Sequence, residues 1–364
     1  MKGEGHGAPG APAELGALRA RIDAIDDAIL RLVSERAGIA QQVGRAKNGE
    51  KIYRPEREAS IVRRLRENNP GPLSGDTIER LIREIMSACR ALEETTRVAY
   101  LGPAGTFSQQ AVHKHFGREV DALAETDIDA CFQALETGRA DFAVVPAENS
   151  TEGAIGRTLD LIVASPLKIC GEVMLPVHQM LMRKHAGLAG IARVYGHAQS
   201  LAQCQQWLSR HLPDAERVSV VSNSEGARRA AAEPDAATLG SEAAAELYGL
   251  AVVQARVEDD ASNTTRFLVL GQGDAAPSGR DKTSFVMSTK NEPGAIVKLL
   301  QPLADAGISM SRLESRPARS GNWEYLFFVV CQGHRQDPAL AAALAEIEAR
   351  AAFLKVLGSY PAAS

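Results

Sequence analysis

Arg36 stands where an aliphatic side chain belongs. Leu15, Leu18, Ile22, Ile25, Ile29, Leu32, Ile39 and Val43 follow one another by steps of three and four, the spacing of a helical seam. The position between Leu32 and Ile39 that should complete the seam is an arginine. Arg19 and Lys47 each sit one place past a seam residue, Leu18 and Ala46, so three cations line one flank of the same helix. That arrangement suits a dianion. At about 1.5 Å per residue a helix over residues 15–47 is roughly 50 Å long, and Arg19 lies roughly 42 Å from Lys47. No small metabolite spans that distance. If the cations act together, Arg19 must come from a second, antiparallel copy of the helix, which makes the site intermolecular and the protein a dimer. The structural alternative is a coiled-coil dimer in which Arg36 snorkels to solvent.

A second set of chemical groups lies further along. Gly102-Pro103-Ala104-Gly105-Thr106-Phe107-Ser108 follows a short strand at residues 98–101. Pro146-Ala147-Glu148-Asn149-Ser150-Thr151 follows a buried strand at 142–146, and Thr264-Thr265-Arg266-Phe267 opens a late strand at 264–270. These loops offer backbone N–H groups and hydroxyls, which suit a carboxylate-bearing substrate at helix N-termini. Each has a structural alternative. Asn149, Ser150 and Thr151, like Thr106 and Ser108, are also ordinary helix N-cap residues, and a lone histidine such as His197 is more often structural than catalytic. Arg266 either holds a carboxylate of the substrate or pairs with a structural acid.

The elements that position these groups divide the chain. Three helices are predicted over residues 15–47, 56–67, with Pro55 in its first turn, and 76–94. They cannot close a core alone, which again favours an intertwined dimer. From residue 97 strands and helices alternate, with further strands near 169–173, 180–182 and 218–221, as in two open sheets flanking a cleft. Residues 272–282 form a linker rich in Gly, Ala, Pro and Ser. Beyond it the order is strand, helix, strand, strand, helix, strand, the ferredoxin-like βαββαβ arrangement. The chain has 364 residues, 45% hydrophobic and 24% charged, enough for two or three domains. Its net charge of -4 argues against general nucleic-acid binding. Five cysteines without a CxxC pair indicate neither a disulfide framework nor a zinc site. The first dozen residues lack the apolar stretch of a signal peptide, and no run of about eighteen apolar residues follows. The reading is a cytoplasmic protein with a disordered start at residues 1–12 and no membrane partner; the Asn-Ser-Thr sequon is discounted on that ground.

The helical domain, residues 13–96, resembles the all-helical chorismate mutases. The resemblance rests on Leu18-Arg19, Ser34-Glu35-Arg36, Gly44-Arg45-Ala46-Lys47 and Arg57-Glu58. It implies a three-helix chain intertwined as a homodimer that rearranges chorismate to prephenate without a cofactor. Arg36 and the Arg19 of a second chain would clamp the carboxylates, Glu58 would accept from the substrate hydroxyl, and Arg54 and Arg57 would lie near the same turn. The developing charge on the ether oxygen would be met by Lys47 and a third-helix side chain. In this family a glutamine commonly donates there; here the position is Glu93, with Cys89 one turn earlier in place of a serine. An ionised glutamate cannot donate, so a working Glu93 must keep its proton.

Residues 97–271 resemble the prephenate dehydratase domain, through the Gly102–Ser108, Pro146–Thr151 and Thr264–Phe267 strings. This implies a two-lobed, periplasmic-binding-protein-like fold and the conversion of prephenate to phenylpyruvate, with Thr265 at the leaving hydroxyl and no metal. Thr106, Ser108, Asn149, Ser150, Thr151, His197 and Arg266 are the further candidates. Residues 283–364 resemble an ACT regulatory module, through Asn291-Glu292-Pro293-Gly294-Ala295-Ile296 and Glu314-Ser315-Arg316-Pro317. The resemblance implies a phenylalanine site between two chains, bordered by Gly294, Ala295, Glu314, Ser315 and Arg316, and feedback inhibition of the dehydratase. The leading reading is an enzyme with both activities, a homodimer or a tetramer of paired dimers. A second keeps the dehydratase and makes the helices a dimerisation device. A third is a regulator that binds an aromatic acid without turnover.

Overall fold

The first helix, α1 (Ala11–Ala46), leans on the rest of the chain only near its C-terminal end. A computed structural model describes residues 11–46, 53–289, 292–317 and 325–363. Its seam residues Leu15, Leu18, Ile22, Ile25, Ile29, Leu32, Ile39 and Val43 are each 46–56% exposed, so among the described residues the seam is left largely uncovered. The helix starts two residues inside the stretch read as disordered. Pro12 is compatible with that start, because the first-turn N–H it lacks has no helical partner. Next come α2 (Pro55–Glu67), with proline in its first turn, and α3 (Gly75–Ala91), whose N-cap Ser74 accepts from Thr77 N. The third helix ends three residues before the 94 predicted, leaving Glu93 in the turn beyond it.

The first lobe of the two-lobed domain contains β1 (Arg97–Leu101), α4 (Phe107–Phe116), β2 (Asp121–Glu125), α5 (Ile128–Glu136), β3 (Phe142–Asn149), β4 (Gly153–Ala154), α6 (Gly156–Ala164) and β5 (Lys168–Pro176). The second contains β6 (Met180–Arg183), β7 (Arg193–His197), α7 (Ala198–Gln203), α8 (Gln205–His211), β8 (Glu216–Val220), α9 (Asn223–Ala232), β9 (Ala236–Gly240), α10 (Glu242–Tyr248) and β10 (Ala251–Gln254). The chain then returns as β11 (Thr264–Gly271) between β3 and β5. The sheets run β2-β1-β3-β11-β5, with β4 on β3, and β10-β6-β9-β7-β8. Two crossings thus join the lobes, leaving a cleft at the C-terminal ends of the parallel strands.

The last domain has β12 (Asp281–Ser288), α11 (Ala295–Asp305), β13 (Met310–Pro317), β14 (Tyr325–Gln332), α12 (Pro338–Arg350) and β15 (Phe353–Pro361), in sheet order β13-β14-β12-β15. This is the predicted βαββαβ order. Strand alternation splits its sheet between two cores. Phe285, Met287, Val329 and Cys331 meet Leu299, Leu303, Leu340 and Ile347 of the helices, whereas Val286, Phe328, Leu357 and Tyr360 join the first lobe's core with Leu135, Ile162, Ile169 and Leu270. The five cysteines are buried and none forms a disulfide.

Candidate active sites

Two cavities hold most of the predicted chemistry. The first, about 490 Å³, lies among the three helices, where Arg36, Arg54, Arg57, Glu58, Cys89 and Glu93 share one lining with Ile39, Val43, Ile61 and Met86. Arg36, singled out by spacing, thus shares a cavity with the five residues that the family resemblance implied. Arg19 is exposed on α1, about 26 Å along the helix from Arg36, as an intermolecular site requires. Lys47 lies outside the described residues. Glu93 is half-buried, packed against the backbone of α1 at Gly44, where an added Cβ would collide with its carboxylate.

Arg90, which the sequence reading did not single out, also lines this cavity. It is 5% exposed and ion-paired to Glu58. Burial pushes the Glu58 carboxyl above its ordinary value, and the charges of Arg90, Arg83 and Arg36 oppose that rise. The signal was present in the sequence: Arg90 falls four residues after Met86, inside the apolar stripe of α3, as Arg36 interrupts the seam of α1.

The second cavity, about 600 Å³, is the cleft between the lobes. Thr106, Ser108, Asn149 and Thr265 line it from the first lobe and His197 from the second. Thr106 is the N-cap of α4, as its alternative reading allowed, and that helix end opens on the cleft. Gly105, at φ 81, lies so near α10 that a Cβ there would stand 3.2 Å from Ala244 Cα, and Ser241 Oγ donates to its carbonyl at 2.6 Å, drawing the lobes together.

Asn149 is not an N-cap; it is the last residue of β3, paired in register with Thr265 on β11. Its Nδ2 donates to Thr265 Oγ1 and to Asn263 Oδ1, both at 2.9 Å, and its Oδ1 accepts from Thr151 N at 3.0 Å and Thr151 Oγ1 at 2.6 Å. Ser150 Oγ accepts from Thr264 N at 3.0 Å. Ser150 and Thr151 do not line the cleft: Thr151 holds the Asn149 amide, and Ser150 ties the end of β3 to Thr264. His197 caps α7 and donates its backbone N–H to Asn223 Oδ1 at 2.7 Å. Gln179, Ser200, Gln203 and Asn223 were missed: Gln179 Nε2 and Asn223 Nδ2 both donate to Ser200 Oγ, at 3.1 and 2.7 Å, forming the opposite wall. They come from the entry to β6 (Gln179), from α7 (Ser200 and Gln203) and from the start of α9 (Asn223), which the second sheet brings together.

Arg266 does not reach the cleft. Alternation along β11 turns it to the opposite face from Thr265. There its Nε donates to Glu172 Oε2 at 2.9 Å and its Nη2 to Tyr360 Oη at 2.8 Å. Lys282 Nζ holds the other Glu172 oxygen at 2.6 Å. Burial alone would raise the Glu172 carboxyl, but Arg266 and Lys282 outweigh it and hold the group below its ordinary value. Burial pushes the Tyr360 hydroxyl up to about 12. This is the structural-acid alternative.

The expected effector residues divide likewise. Ser315 pairs with Phe327, which pairs with Met287 near the end of β12, so Ser315 lies at the end of the sheet from which the chain runs to Gly294 and Ala295 at the start of α11. Gly294 has a left-handed φ of 73, and among the described residues nothing lies within 4 Å of an added Cβ. Glu314 and Arg316 face the first lobe instead, because successive strand residues alternate. Glu314 pairs with Arg312, which also pairs with Glu148, and Arg316 lies 3.6 Å from Asp160. Asn291 lies outside the described residues.

Comparison with known proteins covers the same ground. Residues 18–94 match the family of chorismate mutase type II, 98–275 that of prephenate dehydratase and 283–349 the ACT domain. The chain is 50% identical over 348 residues to a bifunctional chorismate mutase/prephenate dehydratase of Neisseria gonorrhoeae, covering 95% of this chain and 96% of the relative. It is 48% identical to the bifunctional protein of Stutzerimonas stutzeri, over 96% of this chain and 98% of that one. A crystal structure of prephenate dehydratase in complex with L-Phe from Arthrobacter aurescens superposes with a TM-score of 0.67 at 31% identity, covering 73% of this chain and 90% of that one.

Proposed function

The chain belongs to the family of bifunctional chorismate mutase/prephenate dehydratases, and from that premise we propose a division of labour between its two cavities and a sensing role for its last domain. The helical cavity rearranges chorismate to prephenate. Arg36 and the partner subunit's Arg19 hold the two carboxylates so that the diacid stays folded, which supplies orientation rather than covalent chemistry. Glu58 accepts from the substrate hydroxyl. Lys47 and a protonated Glu93 face the ether oxygen, where negative charge develops. The exposed seam of α1 supports the dimer this requires, since an apolar stripe of that length, broken only at Arg36, is otherwise left in water.

The cleft converts prephenate to phenylpyruvate. Loss of carbon dioxide leaves its electron pair in the ring, the C–O bond breaks, and hydroxide departs, taking up a proton to leave as water. Thr265 meets that hydroxyl. The observation that carries this reading is the Asn149 amide on Thr265 Oγ1, which occupies an oxygen lone pair and leaves the threonine proton free to donate. No arginine or lysine lines the cleft among the described residues, so hydroxyls, amides and the N-termini of α4 and α9 take the carboxylates.

L-Phenylalanine binds the ACT domain near Gly294 and Ser315 and inhibits the dehydratase. The L-Phe complex of the Arthrobacter aurescens relative supports this. A cytoplasmic location fits the biosynthetic role; among the described residues no helix is long and apolar enough to cross a membrane. Assaying each half-reaction separately, chorismate consumption and phenylpyruvate formation from prephenate, with and without phenylalanine, tests the assignment. A chain that consumes prephenate but never chorismate would leave the helices as a dimerisation device.

A further inference from the structure

Arg90 touches more than Glu58. Its Nη2 donates to the carbonyl of Phe116, the last residue of α4, at 2.6 Å, and its guanidinium carbon lies 5.0 Å from the centre of the Tyr53 ring. Tyr53 Oη in turn bonds His115 Nε2 at 2.7 Å. Phe116 and His115 belong to the two-lobed domain, whereas Glu58 and Arg90 belong to the helical one. One buried guanidinium therefore has one amine on a carboxylate of the helical cavity and the other on the neighbouring domain. Its anchor is also the C-terminal end of a helix, where the partial negative charge of the helix dipole favours a cation.

We propose that Arg90 is a positioning residue of the mutase centre, holding the Glu58 carboxylate aimed into the cavity from an anchor on the dehydratase domain. The proposal rests on the mutase reading given above. Glu58 accepts most strongly from a substrate hydroxyl when it is ionised and aimed at it, and both conditions run through Arg90. A buried carboxylate whose cation is removed rises toward the neutral form. Around Glu58 the charged and titratable groups are Arg83 and Arg90 of α3, Arg36 of α1, Arg54 beside α2, Arg57 and Arg64 on it, Tyr53, and Glu93 beyond α3. Arg90 makes the largest opposing contribution to burial, so the other arginines compensate only in part.

The test uses the full chain with Arg90→Met, Arg90→Lys, Glu58→Gln and the Glu58→Gln/Arg90→Met double variant. Mutase kcat and KM are followed against pH, with prephenate turnover as the measure of an intact fold. In Arg90→Met, kcat falls roughly 100-fold, the scale of a displaced catalytic group, with little change in KM. Its acid limb moves to higher pH by about one unit or more. Arg90→Lys keeps the charge but cannot reach both partners at once, so kcat falls while the acid limb stays in place; this variant carries the test if the methionine chain does not fold. In the Glu58→Gln background, Arg90→Met adds under about threefold, because both changes act on one group. An acid limb unmoved in Arg90→Met, full kcat in Arg90→Lys, or additive effects in the double variant would each overturn the proposal. The parent and Glu58→Gln chains separate this from the underlying reading: a parent that leaves chorismate untouched, or a Glu58→Gln chain of full activity, removes the mutase assignment itself.

Discussion

Asn149 Nδ2 donates to Thr265 Oγ1 at 2.9 Å, across neighbouring antiparallel strands whose residues stand 116 positions apart in the chain. The bond fixes the rotamer of a threonine hydroxyl that is 8% exposed and opens on the cleft. Thr265→Val, which keeps the shape and removes the proton, should lower phenylpyruvate formation by about 10²–10⁴-fold, the range for loss of a positioned donor. Thr265→Ser should retain most of it. A valine chain within a few fold of the parent would take Thr265 out of the chemistry.

Arg266 should matter for stability rather than turnover. Arg266→Met leaves Glu172, whose side chain is fully buried, with Lys282 as its remaining cation. Breaking such a pair costs roughly 3–5 kcal/mol, read by urea unfolding, while KM for prephenate stays within about twofold. A large rise in KM with unchanged unfolding would restore Arg266 to the substrate site.

The same acid sets a pH dependence. Because the Glu172 carboxyl is held below its ordinary value in the folded chain, its stabilisation is fully present above its unfolded pKa of about 4.3 and is lost as pH falls through the lower folded value. Unfolding free energy measured from about pH 6 downward should fall below about pH 5, and Glu172→Gln should flatten that slope. An equal slope in both chains would show that other carboxylates carry it.

Much of this arrangement was legible in the sequence, and the rest failed for identifiable reasons. Periodicity of 3.6 and of 2 located the helices and strands, and the apolar seam broken by Arg36 pointed to the helical cavity. Thr265 and Asn149 could be named, but their bond depends on β11 returning between β3 and β5, which no local pattern encodes. Arg266 was left between a substrate carboxylate and a structural acid although the signal to choose existed. It directly follows Thr265 in a strand, so the two must face opposite ways, and the same rule separates Ser315 from Glu314 and Arg316. Arg90 was overlooked because its partners, Glu58 and the Phe116 carbonyl, come from different domains.

Feedback should pass through Arg312. It pairs with Glu314, beside Ser315, and with Glu148, beside Asn149, so it spans from β13, proposed to border the effector, to β3, whose Asn149 holds Thr265. Arg312→Met should raise the phenylalanine concentration for half-inhibition by about tenfold, the scale of a coupling energy of 1–3 kcal/mol, with uninhibited kcat little changed. Gly294→Val, strained by the positive φ, should do the same by weakening phenylalanine binding itself, which calorimetry distinguishes. Unaltered inhibition in both chains would reject the assigned effector region.

The proposed intermolecular mutase site makes a quantitative prediction. Arg19→Ala and Arg36→Ala chains, each inactive as mutase alone, should on unfolding and remixing recover up to about a quarter of the parent activity. Half of the dimers are then mixed, and each mixed dimer regains one intact site of two. No recovery in a mixture that forms dimers would place Arg19 and Arg36 in the same chain's site or outside it.

The most direct measurement of two activities on one chain is to feed chorismate separately to the Arg36→Ala and Thr265→Val variants and follow prephenate and phenylpyruvate together. Thr265→Val should convert chorismate at the parent rate and accumulate prephenate. Arg36→Ala should leave chorismate unconsumed yet turn added prephenate into phenylpyruvate at the parent rate. Loss of both activities in either variant without unfolding, or full conversion of chorismate to phenylpyruvate in either, would contradict two separate centres.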